Sequence, residues 1–236
     1  MSKIKRIFHH LFSFFGIKPA KSLPRLNRSP ARLLDYGCAS GGYLLALDPD
    51  EYQLTGIDFS PSALSDAANL GLSVFCEPVH SNTFEAGSFD IITSWMVLEH
   101  LYDPVSTLQK LHHWLADDGI IMVSVPDFSS FHRSIFRGSS YDNHVPQHLL
   151  HYNAKTIQIV MNKARFQVVE IRWQPNCRTL LMSIRNFLES HFPRQYLRIY
   201  TRLLDSMLGK LLAYFLGLVL AVIRQSACIE IIAKKS

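Results

Sequence analysis

The chain alternates short apolar strands with helical segments from residue 31 onward, and this alternation restricts the fold more than any other feature. Helical patterns follow several strands, in the segments GGYLLAL, SPSALSDAANL, PVSTLQKLHHWLADDG and NAKTIQIVMNKA. In the second of these helices Ser60 is the expected N-cap and Pro61 lies in the first turn, and the third helix is expected to end at Gly119. The predicted strands are ARLLDYG, QLTGIDFS, LSVFCE, FDIITSW, IIMVSVP, FQVVEIRW and ACIEIIAKK. This order predicts an α/β fold, with a seven-stranded, mostly parallel sheet and helices on both faces.

Two further segments flank or interrupt that pattern. Residues 1–30 predict a basic amphipathic helix followed by a linker rich in Pro and Arg, and residues 31–236 form the α/β domain. Within that domain, residues 176–225 form a helical insertion, basic at first and then strongly apolar, before the last strand. The N-terminal helix suits an anionic membrane surface, and the alternative is a helix that caps the core or a ligand cleft.

Charge is divided unevenly along the sequence, although the net charge is only +5. Residues 1–34 carry eight Lys or Arg and no acid, whereas residues 35–131 carry fourteen acids and one base, Lys110. Residues 132–236 carry fifteen bases and five acids. The division predicts a cationic ligand for the middle of the chain and anionic groups for its ends; the alternative is uneven solvated surface charge. The four scattered cysteines indicate reduced thiols in a cytosolic setting.

The first predicted strand runs into a glycine-rich turn, LLDYGCASGG, which lets the backbone approach a ligand closely. Gly37, Ala39 and Gly42 stand at GxGxxG spacing, and dinucleotide-binding enzymes share that spacing. Asp35, two residues before the first glycine, distinguishes the alternatives. A carboxylate there repels the diphosphate of a dinucleotide and favours a cationic ligand. Asp58 ends the second strand, where a carboxylate can accept hydrogen bonds from ribose hydroxyls; its alternative role is to complement the next helix dipole. Glu77 follows the third strand.

These segments together resemble a known family. DYGCASGG, GIDFS, FDIITSWMVLEHLYDP and LADDGIIMVSVPD are similar to the successive motifs of class I S-adenosylmethionine-dependent methyltransferases. The resemblance covers about residues 31–173 and the final strand, and it implies a Rossmann-like fold with S-adenosylmethionine as cofactor. One departure is Ala39, where the family more often has Gly. Ala adds a methyl group, so we expect binding to survive if this residue keeps φ below zero.

The same resemblance implies positions around the cofactor. The glycine turn would line its methionine part, Asp58 its ribose and Glu77 its adenine. Ser94, Trp95 and Met96, after the fourth strand, would lie beside the reacting methyl group. The full predicted set of cofactor contacts is Asp35, Gly37, Cys38, Ala39, Gly41, Asp58, Phe59, Glu77, Ser94 and Trp95.

Histidines follow the fifth strand in DNHVPQHLLHY, which resembles the PRHLxHF segment of many small methyltransferases, with Gln147 in place of the common Arg. His148, and next His144, are candidates for a base or hydrogen-bonding group that faces the acceptor. The alternative is that both pack the following helix. A zinc site from His144, His148 and His151 is disfavoured because Pro146 interrupts the geometry and no Cys is near, so no metal is predicted.

The insertion carries Arg194, Arg198 and Arg202 at helical spacing, and then Leu211–Ile223 without a charge. That run is too short to span a bilayer. A span would also separate the last strand from FQVVEIRW, the strand with which we expect it to pair in the same sheet. We expect it to lie at a membrane interface, cover a lipid-binding cleft or form a subunit contact; the alternative is a core helix. No basic patch interleaved with aromatic residues indicates a nucleic-acid partner.

The sequence therefore predicts a cytoplasmic methyltransferase, peripheral on the inner membrane face, that uses a small-molecule or lipid-linked acceptor at oxygen or carbon. One alternative is an NAD(P)-dependent oxidoreductase, opposed by Asp35 and by the absence of a Tyr-x-x-x-Lys pair. Another is a non-catalytic protein that keeps the fold for binding a membrane or a partner. The sequence leaves the oligomeric state open.

Overall fold

A computed structural model describes residues 23–24, 26, 28–76, 84–143, 146–193 and 201–236 of the chain. The predicted N-terminal helix lies outside these residues. The strands are β1 (Ala31–Tyr36), β2 (Tyr52–Asp58), β3 (Ser73–Cys76), β4 (Phe89–Trp95), β5 (Leu115–Pro126), β6 (Phe166–Gln174) and β7 (Cys228–Lys235). The helices are α1 (Pro61–Asn69), α2 (Pro104–Trp114), α3 (Phe131–Phe136), α4 (Ala154–Lys163), α5 (Cys177–His191) and α6 (Met207–Val222).

The seven strands form one sheet in the order β3-β2-β1-β4-β5-β7-β6. The pairs from β3 to β5 are parallel, whereas β7 runs antiparallel to both β5 and β6. The predicted α/β fold is confirmed, including the pairing of the last strand with β6. Because the parallel strands share one direction, the segments after β1, β2, β4 and β5 meet at one edge, which we call the carboxyl edge.

Helices cover both faces of the sheet because buried side chains alternate along each central strand. In β1, Leu34 faces a cluster that includes Leu108 of α2 and Ile157 of α4. Leu33 faces the other side, where it packs with Leu64 of α1. This alternation is the two-residue period expected of a strand buried on both sides.

One predicted helix and one predicted helix boundary are wrong. After the glycine turn, only the 3₁₀ turn Leu44–Ala46 forms, because Pro49 disfavours helical backbone at the residue before it. Helix α2 ends at Trp114 rather than Gly119, and β5 already begins at Leu115. Leu115 is fully buried and pairs with Phe89 of β4, so this tertiary pairing overrides the helical pattern.

The insertion lies between β6 and β7, as expected, and α6 packs against α5 and β6. Small residues allow the close approach: a Cβ added to Gly217 would lie 3.6 Å from the backbone nitrogen of Asn176. The core-helix alternative is contradicted, because α6 buries only Ala213, Gly217 and Leu220. Its exposed apolar face, named here the α6 face, comprises Met207, Leu208, Leu211, Leu212, Phe215, Leu216, Val219 and Val222. Among the described residues, every helix is too short or too polar to cross a bilayer.

Candidate functional site

The glycine turn after β1 is a tight bend at the carboxyl edge. Gly37 has φ +83° and Gly41 has φ +76°, values that favour glycine. A Cβ at Gly37 would lie 2.3 Å from Val97 Cγ2, and one at Gly41 would lie 2.3 Å from Leu72 Cδ1. Positive φ favours glycine at both positions, and a side chain at either one would also require Val97 or Leu72 to move.

Ala39 also adopts the left-handed region, with φ +47°, so the condition stated for its methyl group, a φ below zero, is not met. This conformation costs roughly 1–2 kcal/mol for a residue with a Cβ. It is held by a hydrogen bond in which the Ala39 backbone N–H donates to Asp58 Oδ2 at 2.9 Å. Strained backbone of this kind concentrates at ligand-binding sites, and here it lies beside a buried carboxylate.

Asp58 connects the bend to β2 and to the start of α1. Its Oδ2 accepts from Ala39, and its Oδ1 accepts from the Ser60 backbone N–H at 2.9 Å. Each carboxylate oxygen has a second lone pair, so hydrogen bonds from ribose hydroxyls are still available to it. Phe59, the next residue, is mostly exposed at the same edge. Glu77 lies outside the described residues, so its predicted adenine contact stays a prediction.

Asp35 is buried at the end of β1, with only 2% of its surface exposed. Its Oδ1 accepts a hydrogen bond from Thr93 Oγ1 of β4 at 2.7 Å. Burial, with Asp35 and Asp58 nearby, raises the pKa of the Cys38 thiol to about 12. Cys38 is therefore neutral, and it lines the bend as a small apolar side chain rather than as a nucleophile.

The end of β4 separates the three side chains predicted beside the reacting methyl group. Trp95 packs into a core cluster with Ile120 and Met122, and Ser94 is fully buried. Met96 is 36% exposed and has φ +58°, an uncommon value for a long side chain. Of the three, Met96 is the one that reaches the rim, while Ser94 and Trp95 remain predicted cofactor contacts.

The bend fits a cationic ligand that also carries ribose hydroxyls. Two buried carboxylates, Asp35 and Asp58, flank it, and the sequence places no Lys or Arg between residues 35 and 109. A diphosphate would meet repulsion there, whereas a positive charge would be stabilised in this partly desolvated setting.

A second group of polar side chains lies where the segment after β4 meets the loop before α4. Ligand atoms of Glu99, His100 and His148 lie within 4.8 Å of one another. His100 Nδ1 lies 2.9 Å from the Gln147 carbonyl, and His148 Nδ1 lies 2.9 Å from the Asp142 carbonyl. If each imidazole donates through Nδ1, each Nε2 keeps a lone pair that can accept a proton or bind a metal.

Glu99 is the most unusual member of this group. It is 1% exposed, and neither carboxylate oxygen has a hydrogen-bond partner among the described residues. Burial, and secondarily Asp142, raises its pKa to about 8. Its backbone carbonyl accepts from Leu149 and Leu150, at 2.8 and 3.1 Å, so it also supports the loop.

The three residues could hold a divalent metal or handle a proton, since a carboxylate and two imidazoles suit both tasks. They differ from the His144, His148 and His151 set that the sequence raised. His144 lies outside the described residues, and His151 stacks on Phe128 at 4.3 Å between ring centroids. Sequence spacing alone missed Glu99 and His100 as companions of His148.

A cavity of about 920 Å³ lies between the segment after β5 and helix α5. It is lined by Phe128, Arg133, Ser134, Arg137, Gly138, Ser140, Tyr141, Asn143, His151 and Asn186. Thus His151 lines the cavity, whereas His148 belongs to the Glu99 group. Burial and the nearby Arg133 lower the pKa of His151.

Comparison with known proteins agrees with this geometry. A family model described as a methyltransferase domain matches residues 7–171. The malonyl-[acyl-carrier protein] O-methyltransferase of Laribacter hongkongensis is 30% identical over 146 residues, covering 54% of this chain and 49% of the relative. The ubiquinone biosynthesis O-methyltransferase of Coxiella burnetii is 36% identical over 78 residues, covering 30% of this chain and 33% of the relative. The chain thus spans half or less of these relatives.

Solved structures share the fold at low identity. A SAM-dependent methyltransferase from Archaeoglobus fulgidus gives a TM-score of 0.58 at 14% identity, covering 98% of this chain and 94% of the other. The [4+2]-cyclase SpnF gives a TM-score of 0.60 at 16% identity, covering 96% of this chain and 80% of the other. At such identities the likeness shows the fold alone.

Proposed function

The chain belongs to the methyltransferase-domain family, and we propose that it transfers a methyl group to an oxygen atom of a small-molecule or lipid-linked acceptor. It is an S-adenosylmethionine-dependent methyltransferase. The observation that carries the proposal is the glycine bend flanked by the buried carboxylates of Asp35 and Asp58. The curated relatives that match this chain are named O-methyltransferases, which favours oxygen.

The bound cofactor supplies a methyl group on a positively charged sulfur. In the proposed mechanism, Asp58 accepts hydrogen bonds from the ribose, and Asp35 stabilises positive charge at the carboxyl edge. The fixed bend would hold the cofactor for transfer to an acceptor that binds at the same carboxyl edge. Met96, at the rim of the carboxyl edge, would bound the approach to the methyl group, while Ser94 and Trp95 would support it from the core.

A hydroxyl acceptor must lose its proton as the new bond forms. His148 is the proposed base, and His144 is a second candidate from the sequence. The structure supplies two further groups for the same proton: Glu99 beside His148, and His151 in the cavity. The lowered pKa of His151 keeps its imidazole neutral near physiological pH, as a base requires.

The test is a mass search in cell extract with an isotopically labelled methyl donor. We expect a metabolite or lipid to gain one labelled methyl group on oxygen, and Asp58→Ala to reduce that gain at limiting concentrations of the methyl donor. A product labelled on carbon would show that the enzyme methylates carbon, the other acceptor atom that the sequence predicts, and not oxygen. Cofactor binding without turnover on any acceptor would favour the non-catalytic alternative.

We also propose that the protein acts in the cytoplasm and attaches peripherally to the inner face of the membrane. The α6 face supports this, because monomeric soluble proteins rarely expose so many contiguous large apolar side chains. Arg202, Lys210 and Arg224 are exposed near it, as expected of an interfacial helix among anionic lipids. Acyl or prenyl chains of a lipid-linked acceptor would meet the same surface.

Flotation with liposomes tests the attachment. We expect the protein to float with anionic liposomes at low salt and less with zwitterionic ones. Leu212→Ser with Phe215→Ser should reduce flotation, whereas Ile159→Ser, at an exposed position on α4, should not. Absence of flotation with anionic liposomes at low salt would reject the proposal.

A further inference from the structure

The cavity after β5 differs in charge from the cofactor bend at the same edge. Two arginines, Arg133 and Arg137, line it, and none of the described lining residues carries a carboxylate. Neither arginine forms an ion pair with any residue in the described ranges. The charge of Asp142 acts on Arg133, but Asp142 is buried and is not among the described residues that line the cavity. The cavity wall therefore has an excess of positive charge.

Arg133 is fixed in place by aromatic packing. Its guanidinium carbon lies 3.2 Å from the centroid of the Phe128 ring, and His151 stacks on the same ring. A guanidinium over an aromatic face keeps its N–H groups at its edge, where they can donate to a planar or tetrahedral anion. The Arg133 Nε is buried without a hydrogen-bond partner among the described residues.

Arg137 is positioned by its backbone. It has φ +45°, an uncommon value for a residue with a long side chain. The conformation is held at its carbonyl, which accepts from Asn143 Nδ2 at 2.7 Å and from the Ser140 backbone N–H at 3.1 Å. A strained residue that its neighbours hold so firmly is a sign of a ligand site.

Ser140 adds an independent observation. It lines the cavity, is more than nine-tenths buried, and its hydroxyl has no partner within the described part of the chain. Buried hydroxyls are ordinarily hydrogen-bonded, so an unmatched one in a cavity wall points to a ligand that completes it.

We propose that this cavity binds an oxyanion of the methyl acceptor, a carboxylate or a phosphate ester next to an aromatic or apolar group. Arg133 and Arg137 donate to the anion, and the aromatic wall of Phe128, Tyr141 and His151 packs against the adjacent group. This inference rests on the proposed function, and it deepens it by naming the acceptor class. The acidic bend then takes the cationic donor, and the basic cavity takes the anionic acceptor.

Ligand-observed NMR tests the cavity without requiring turnover. Phenyl phosphate, benzoate and phenol would be titrated into protein saturated with S-adenosylhomocysteine. We expect phenyl phosphate or benzoate to bind at least about tenfold more tightly than phenol, the scale of one hydrogen bond to a charged group. The anion that binds more tightly, phenyl phosphate or benzoate, shows whether the cavity prefers a phosphate ester or a carboxylate.

Variants identify the residues. Arg133→Gln and Arg137→Gln should each weaken binding of the preferred anion by about tenfold and leave phenol unchanged. Arg133→Lys should restore part of that loss because it keeps the charge but not the planar fork. Arg165→Gln is the matched control, since Arg165 is also exposed at positive φ but lies before β6, at the opposite edge.

Three results would overturn the inference: equal affinity for phenol and the anions, an equal loss in Arg165→Gln, or no loss in Arg133→Gln and Arg137→Gln. Binding of S-adenosylhomocysteine is measured separately on every variant and also reports folding. If the native protein binds S-adenosylhomocysteine but neither anion, the proposal that the cavity binds an anion is rejected and the proposed methyltransferase function is not. If it does not bind S-adenosylhomocysteine at all, the proposed function fails first.

Discussion

The two halves of the carboxyl edge are built in opposite ways. The cofactor side, from β1 to β4, is acidic, and Asp35 and Asp58 are held by hydrogen bonds to neighbouring elements. The acceptor side, from the end of β5 to α6, is basic and has unmatched polar atoms in Arg133 and Ser140. It also exposes the α6 face.

This difference teaches how one fold serves many acceptors. A shared cofactor requires a fixed bend, and the carboxylates that flank this bend, Asp35 and Asp58, are already hydrogen-bonded within the protein. The acceptor side carries groups that are incomplete on their own, as expected of surfaces that a ligand or a membrane completes. Substitutions on the cofactor side should therefore cost folding and cofactor binding, whereas those on the acceptor side should cost acceptor or membrane binding.

The largest effect should come from the bend. Gly37→Ala places a Cβ against Val97 and forces it into φ +83°, so we expect a loss of about 3 kcal/mol in unfolding free energy. Gly42→Ala is the control, because a Cβ there meets nothing within 4 Å. Urea unfolding of both variants measures this. Equal stability of the two would contradict the tight bend.

Glu99, at the junction of the two sides, should make stability depend on pH. Burial raises the pKa of Glu99 to about 8 in the folded protein, so folding favours the protonated carboxyl group. The stability that this group contributes is therefore fully present below the pKa of Glu99 in the unfolded chain, and it is lost as the pH rises through the pKa in the folded protein. Between about pH 6 and about pH 8 we expect the unfolding free energy to fall by about 2 kcal/mol from this group alone.

Glu99→Gln should remove that pH dependence, while Glu85→Gln, at an exposed position, should keep it. Thermal or urea unfolding across the same pH range makes the comparison. A Glu99→Gln profile that matches the native profile would show that Glu99 is already ionised or partnered in the folded protein.

Asp58→Ala should weaken S-adenosylhomocysteine binding by more than about 1 kcal/mol, because it removes charged acceptors for the bend and the ribose. Asp66→Ala, on the exposed side of α1, should leave the affinity unchanged. Calorimetric titration measures both. Unchanged affinity in Asp58→Ala would remove this residue from the cofactor site.

The smallest effect on stability should come from the α6 face. Leu212→Ser and Phe215→Ser should each change the unfolding free energy by no more than about 0.5 kcal/mol, because both side chains are exposed. Leu220→Ala, which truncates a buried residue of the same helix, should cost about 2 kcal/mol or more. Urea unfolding distinguishes them, and a large loss at Leu212 would mean that protein covers this face.

The sequence predicts the cofactor side well because its signals are local. A strand, a glycine bend and Asp58 at the end of the next strand are specified within 28 residues, from Ala31 to Asp58. Even so, the positive φ of Ala39 depends on its hydrogen bond to Asp58, and the early end of α2 depends on the pairing of Leu115 with β4. Both are tertiary effects that local propensity does not contain.

The acceptor side could be predicted only in part. Its bases and apolar run are visible in the sequence, but Glu99 meets His148 from 49 residues away, through loop geometry. The Arg133, Phe128 and His151 stack likewise depends on how the segment after β5 packs. The composition of helix α6 resembles that of a core helix. In the structure, however, the small residues Ala213 and Gly217 lie on its buried side, and most of its large apolar side chains face outward.

The most direct measurement is calorimetric titration of S-adenosylmethionine, S-adenosylhomocysteine and NADH into the native protein and into Asp35→Asn. The acidic bend predicts that the native protein binds the two sulfur ligands and not NADH. It also predicts that Asp35→Asn loses about tenfold in affinity for the sulfonium form and less for the neutral thioether. Binding of NADH that strengthens in Asp35→Asn, without binding of S-adenosylmethionine, would contradict the account.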